Sequence, residues 1–328
     1  MEWDSGEDGG GKYPSPVALD PLVQRLVDAS SAPPFLHELG PVDGRQALRE
    51  SQVHRVEDFE VDATFQVAPV GPSGLVGFWI FRPARVKGPL PAMLYIHGGR
   101  WMLGDAQTHA RLISELVLSA GMAAVVPEYS RTPEARYPVA VEECYALMIW
   151  VVRQACELGL DADRLVAAGD CAGATMATAL TMMAKARGGP RIRAQLLYYP
   201  ITDAHCDSPS QRQFASGYLL TREALRRYWQ QYTDDPRQQD EPTASPLRAS
   251  LADLAGLPPT LVITAEADVT RDEGEQYADQ LRRAGVEVTA ARFLGTVHDF
   301  VSLTALRDSP PTRAAVRQGG AFLRRLLN

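Results

Sequence analysis

Cys171 stands in the pentapeptide Gly169-Asp170-Cys171-Ala172-Gly173, after the apolar run "RLVAAG" and before "AGATMATALTMMAKA", a stretch of good helix formers. A nucleophile between a strand and a helix is presented on a sharp turn, and flanking glycines let that turn close. The N-terminus of the following helix favours an anion there, and so the thiolate. By itself a cysteine after a strand has an ordinary reading as buried core. Two further groups support a chemical one. Asp268 follows the apolar run "LVITAEA", and His298 follows the last such run in "GTVHDF". A carboxylate can orient an imidazole, and the imidazole can activate a thiol and later protonate a leaving group. The order along the chain is Cys, Asp, His, each just past the end of an expected strand. Glu266, Asp272 and Asp299 are neighbouring acids, but Asp268 has the better strand-end position. His205 falls in an expected insertion, while His37, His54 and His109 precede the nucleophile and read as surface or structural residues.

A second cluster lies in "LYIHGGRWMLGD", residues 94–105. Gly98 and Gly99 follow an apolar run, where backbone without side chains can turn its N–H groups towards a developing oxyanion. The N–H of Ala172, next to the candidate nucleophile, is expected to supply another donor. His97 is expected to hold the loop by hydrogen bonding rather than to act as the base. Arg100 puts a long cation near the expected pocket mouth, where it either binds an anionic group of the substrate or points into solvent. Trp101, Phe214, Tyr218, Val269 and Val297 are candidate apolar lining, with core or cap packing as the competing reading for each.

The elements that must position these groups are legible as an alternation. Apolar runs at 92–96, 122–126, 164–169, 194–199, 260–264 and 286–293 read as strands, preceded by strand-like "VEDFEVDATFQV" and "GLVGFWIF". Helical segments fall near 106–120, 138–158, 172–187, 271–285 and 312–327. Buried strands separated by helices imply an α/β fold with a mostly parallel sheet covered on both faces. Reactive groups then gather beyond the carboxyl ends of the strands. Residues 1–18, rich in Gly, Ser, Pro and acid, read as a flexible leader, and 19–328 as a single domain. A helix is expected in "LVQRLVDAS" after Asp20-Pro21. Residues 203–246, including "TREALRRYWQQYT", are too long for a simple crossover. They read as an inserted cap, joined by the segment 19–46.

With 45% hydrophobic and 22% charged residues, the 328-residue chain has an ordinary globular composition. A formal charge of −7 and the lack of any Lys/Arg run argue against nucleic-acid binding. The acidic, Gly-rich start has no signal-peptide pattern, and no apolar run is long enough to span a bilayer. A cytoplasmic location away from membranes is the expectation. The four cysteines have no CxxC spacing, so neither a disulfide framework nor a zinc knuckle is expected, and Cys144 and Cys156 read as core.

At these motifs the chain resembles the hormone-sensitive-lipase-like branch of the α/β-hydrolase superfamily, the bacterial esterase and acetyl-hydrolase group. The resemblance covers roughly residues 20–328 and rests on the His-Gly-Gly loop with "LGD" behind it, "PEYSRTPEARYP", the Gly-Asp-x-Ala-Gly turn, "VITAEADVTRDEGEQYA" and "HDF". It implies an eight-stranded, mostly parallel sheet with a helical cap. It also implies Cys171 as nucleophile, Asp268 as acid, His298 as base, and Gly98, Gly99 and Ala172 at the oxyanion hole. No metal or organic cofactor is implied. Family members often pair through the sheet edge, so a homodimer is an expectation. Arg100 departs from the small residue usual after the two glycines, and Cys171 departs from serine.

Cysteine in this place has precedent in dienelactone hydrolases and polyhydroxyalkanoate synthases. The acyl-enzyme becomes a thioester, which favours capture by amines and thiols relative to water. The expected activity is therefore acyl-enzyme chemistry on a small-molecule ester, lactone or thioester, including one carried as a thioester. The acyl group goes to water or to a second nucleophile, as in an esterase, thioesterase, acyltransferase or cyclase. Competing readings are a ligand-binding relative without catalysis, and elimination or decarboxylation in the same pocket. An engineered Ser→Cys change is the remaining origin for the cysteine, against which the run "AGAT" also departs from the common family pattern.

Overall fold

Strand β5 (Leu160–Asp170) is fully buried from Leu165 to Asp170, and β3 (Leu90–Ile96) along its whole length. Strands without a polar face need cover on both sides. The computed structural model describes residues 17–52 and 59–327, and supplies that cover. The other strands are β1 (Val61–Ala68), β2 (Val76–Pro83), β4 (Ala123–Glu128), β6 (Ile192–Tyr198), β7 (Thr260–Ala267) and β8 (Val288–Val297). They form one sheet in the order β1-β2-β4-β3-β5-β6-β7-β8. Strand β2 runs antiparallel to β1 and β4, and all other neighbours are parallel. The expected leader, His54 and the start of "VEDFEVDATFQV" lie wholly or mostly outside the described residues.

The helices are α1 (Pro21–Ala29), α2 (Pro41–Ser51), α3 (Ala110–Ala120), α4 (Val139–Arg153), α5 (Ala172–Arg187), α6 (Pro209–Gln213), α7 (Arg222–Tyr232), α8 (Pro236–Gln239), α9 (Leu251–Leu254), α10 (Arg271–Arg283) and α11 (Pro310–Leu327). Helices α3 and α11 pack together on one face of the sheet, while α4 and α10 flank α5 on the other. Helix α5 is buried on all sides from Ala172 to Ala184, which places it at the centre of the layer. It stops at Gly188, a left-handed residue whose N–H is donated to the Ala184 carbonyl.

One expectation needed correction. Helix α4 ends at Arg153, before the expected 158, so Cys156 falls in the following turn and is exposed rather than in the core. Cys144, inside the helix, is buried as expected. Helix α2 runs to Ser51, and its Arg45 and Arg49 tie the N-terminal region to the loop after β3. Among the described residues no helix is long and apolar enough to cross a membrane.

Candidate active site

The turn between β5 and α5 holds Cys171 at φ 54° and ψ −125°, a conformation L residues seldom adopt. The Cys171 N–H is donated to the Tyr198 carbonyl at 3.0 Å, which locks the turn against β6. Close approach explains Gly173. A Cβ there would overlap the Ile96 carbonyl oxygen and stand 2.6 Å from that of His97. The side chain of Cys171 therefore sits at the carboxyl edge of the sheet, at the N-terminus of a 16-residue helix.

Asp268 and His298 arrive from the ends of β7 and β8. His298 Nδ1 lies 2.8 Å from Asp268 Oδ2, and both side chains are buried. Thr270, not singled out in the sequence, holds the carboxylate: its N–H is donated to Oδ1 and its hydroxyl to Oδ2, each at 2.9 Å. Burial by itself would lower the pKa of His298. The Asp268 carboxylate, with Cys171 and Asp299, outweighs burial and raises it well above the usual histidine value. Among the described residues the buried Nε2 of His298 has no hydrogen-bond partner. Cys171 Sγ, a carboxylate oxygen of Asp299 and a ring nitrogen of His298 lie within 4.8 Å of one another. Cys171 and His298, 127 positions apart in sequence, thus meet in space, with Asp268 behind the histidine.

The glycine loop has a different wiring from the one expected. The N–H of Gly98, expected among the oxyanion donors, is donated to Asp170 Oδ1 at 3.0 Å and is already committed. This is a correction: Gly98 anchors the loop. The Asp170 carboxylate also accepts from the Tyr95 hydroxyl at 2.7 Å and lies 3.3 Å from His109 Nε2. Burial would push Asp170 up, but His109, Tyr95 and the Gly98 N–H together hold it below its ordinary value. His109 is raised, because Asp170 more than offsets the opposing effect of burial. His97 is structural, stacked on Tyr129 with ring centres 4.4 Å apart, and burial first, then His109, push it down to about 3. Gly99 takes φ 113°, and a Cβ there would run into the Leu103 carbonyl. Among the described residues no hydrogen bond engages the N–H groups of Gly99, Arg100 or Ala172.

Arg100 does not point into solvent. Its side chain is buried and ion-paired with Asp299, with the ring of Tyr228 6.0 Å from the guanidinium carbon. Burial would lower its pKa, but Asp299 and Cys171 raise it. Among the described residues its Nε has no hydrogen-bond partner. The other oxygen of Asp299, Oδ1, stands 3.5 Å from His298 Nε2. Arg100, Trp101 and Asp299 all have positive φ, at 55°, 61° and 65°. Strain gathered at three bulky or charged residues beside one thiol is a mark of a functional site.

Of the candidate lining residues, Trp101 is buried and stacked on Tyr232 of α7, with ring centres 4.3 Å apart. Phe214 meets Tyr218 edge to face at 5.3 Å and carries Arg271 over its ring at 5.0 Å. Val269 and Val297 are buried next to Asp268 and His298 in the chain. Asp170, Thr270 and Asp299 were legible only as acids and a hydroxyl beside motif residues. His109 is structural, one of the two readings open in the sequence, while Tyr95 and Tyr228 carried no signal there, because the contacts that give them roles are made with residues distant in the chain.

A family model described as the alpha/beta hydrolase fold matches residues 93–302. The chain superposes on the crystal structure of a thermostable esterase from Pseudomonas putida with a TM-score of 0.92 and 39% identity, covering 96% of this chain and 99% of that one. It is 37% identical over 216 residues to an ethyl acetate hydrolase of Pseudomonas putida, which is 66% of this chain and 67% of that one. It is 32% identical over 317 residues to carboxylesterase NlhH of Mycobacterium tuberculosis, covering 94% of this chain and 97% of that one. The eight-stranded sheet, the strained turn at Cys171 and these relatives agree, and the chain belongs to the α/β-hydrolase family, as an enzyme of the esterase type.

Proposed function

We propose that the protein transfers acyl groups from small-molecule esters, lactones or thioesters through a covalent thioester on Cys171. The observation that carries this reading is the junction of Asp268, His298 and Cys171, in which Nδ1 is held at 2.8 Å and Nε2 has no hydrogen-bond partner among the described residues. His298 Nε2 takes the thiol proton as Sγ attacks the carbonyl carbon. The oxygen that gains charge is held by the N–H groups of Gly99, Arg100 and Ala172. Collapse of the tetrahedral intermediate breaks the bond to the leaving group, which receives the proton from His298. Water or a second nucleophile then gives a proton to His298 and attacks the thioester, and Sγ departs and recovers its proton.

The ethyl acetate hydrolase and carboxylesterase relatives support an ester as the acyl donor. The thioester intermediate biases release towards an amine or thiol acceptor. Helix α2 and the segment 203–246 act as the roof: Arg45 donates to the Met102 carbonyl at 2.9 Å, and α7 packs Tyr232 on Trp101. Cys171 and His298 are 0% and 1% exposed, so the reacting groups lie beneath this roof rather than on the surface. Intact-protein mass spectrometry with activated oxygen esters and thioesters tests the proposal. An adduct of acyl mass that vanishes in Cys171→Ala is expected, and its decay in water, amine, alcohol or thiol identifies the acceptor. No adduct and no turnover with any donor, in folded protein, would overturn the covalent reading.

A further inference from the structure

Cys171, His298 and Asp299 are all buried, and each offers one ligand atom within 4.8 Å of those of the other two. We propose that these three side chains form a binding site for a soft divalent cation, zinc foremost, which sits over Cys171 and reversibly silences it. The site needs the thiol and its neighbours, and no particular acyl chemistry.

Thiolate, imidazole and carboxylate are the three side-chain donors zinc takes, and the thiolate is the softest of them. Serine in place of Cys171 would remove that ligand, so the site belongs to this chain's own departure from the family. Ligand atoms on one four-coordinate zinc stand roughly 3.5 Å apart, so the cluster has to draw in by about 1 Å. The buried Nε2 of His298, without a hydrogen-bond partner among the described residues, faces Asp299 Oδ1 at 3.5 Å, where such an ion would lie between them.

The surroundings hold each ligand from behind. Asp268 grips Nδ1 of His298 at 2.8 Å, the carboxylate–histidine arrangement that orients imidazole towards a metal. Arg100 grips Oδ2 of Asp299 and leaves Oδ1 free to coordinate. Charge also balances: the two positive charges of the ion and that of Arg100 match the thiolate, Asp299 and Asp268. Three protein ligands leave a fourth position for water. Coordination needs a thiolate and a neutral imidazole, so one proton passes to bulk water for each ion bound, and no redox change occurs.

The full chain, stripped with a chelator, is titrated with zinc chloride and separately with cobalt(II) chloride. One zinc per chain is expected after dialysis, with alkylation of Cys171 by iodoacetamide slowed about 10-fold or more and restored by chelator. Cobalt should give a thiolate-to-metal charge-transfer band. Cys171→Ser should abolish the band and weaken zinc binding about 100-fold, and Asp299→Asn should weaken it about 10-fold while leaving metal-free Cys171 open to alkylation. Cys156→Ser and His205→Gln, which change an exposed thiol and an exposed imidazole, should leave the stoichiometry unchanged. The proposal is overturned if no zinc is retained, if bound zinc leaves Cys171 unprotected, or if Asp299→Asn and Cys171→Ser bind zinc as the parent does. Should Cys171→Ser fail to fold, the cobalt spectrum and Asp299→Asn decide.

Discussion

Replacing Asp170 by asparagine isolates how the nucleophile's own motif holds the oxyanion loop. In the parent, Oδ1 accepts from Tyr95 and Gly98, and Oδ2 faces His109 Nε2 at 3.3 Å. An asparagine oxygen can keep the first two bonds, but its NH2 then meets the His109 ring. A protonated His109 loses its partner there, and a charge-assisted hydrogen bond in a buried site is worth about 1.5–3 kcal/mol. Removing one member of a buried pair costs about 3–5 kcal/mol when the other must stay charged. His109 can escape by shedding its proton, so a loss of about 3 kcal/mol is expected where it is protonated in both states. The sign follows from the shifts. His109 is raised, so its contribution is present below about pH 6.5 and fades as pH rises through its folded value. Asp170 is depressed, so its contribution is present above about pH 3.9 and fades as pH falls through its folded value. Urea denaturation of both proteins at about pH 6 and about pH 9 should show a large gap that narrows at the higher pH. Ester turnover should fall only about 10-fold in Asp170→Asn, which keeps the Gly98 bond, and at least about 100-fold in Asp170→Ala, which frees the loop. Coincident midpoints at the lower pH, or a gap that widens as pH rises, would refute the reasoning.

Gly173→Ala should lose about 3 kcal/mol or more, or fail to fold, because its methyl meets strand backbone, whereas Gly40→Ala, with open space, should stay within about 0.5 kcal/mol; thermal denaturation compares them. Arg100→Gly should relieve about 1 kcal/mol of left-handed strain yet cost about 3 kcal/mol net by stranding Asp299, and adding Asp299→Asn should recover part of it; a double-mutant cycle in urea measures the coupling. Asp268→Asn should lower kcat by about 10³–10⁴-fold in stopped-time ester assays. It should also flatten the stability profile, because the raised His298 contributes stability below about pH 6.5 that is lost as pH rises through its folded value.

Local sequence determined a good deal of this protein. Apolar runs marked β3, β5 and β7, since strands buried on both faces need no polar face and read as continuous hydrophobic stretches. Cys171, Asp268 and His298 stood out because strand ends in a parallel sheet gather at one edge, so position after a strand was itself spatial information. Folding alone decided how the loop and the charges are wired. Gly98 reads as a free donor until Asp170, 72 positions away, takes its N–H. Arg100 reads as a cation at a pocket mouth until Asp299, 199 positions away, neutralises it in a buried pair. Cys156 reads as core because helical periodicity continues past the point where α4 stops. Periodicity and turn residues are local properties, written in adjacent letters. Which polar group satisfies which other is decided by desolvation, and that comes into force only when distant segments close over them.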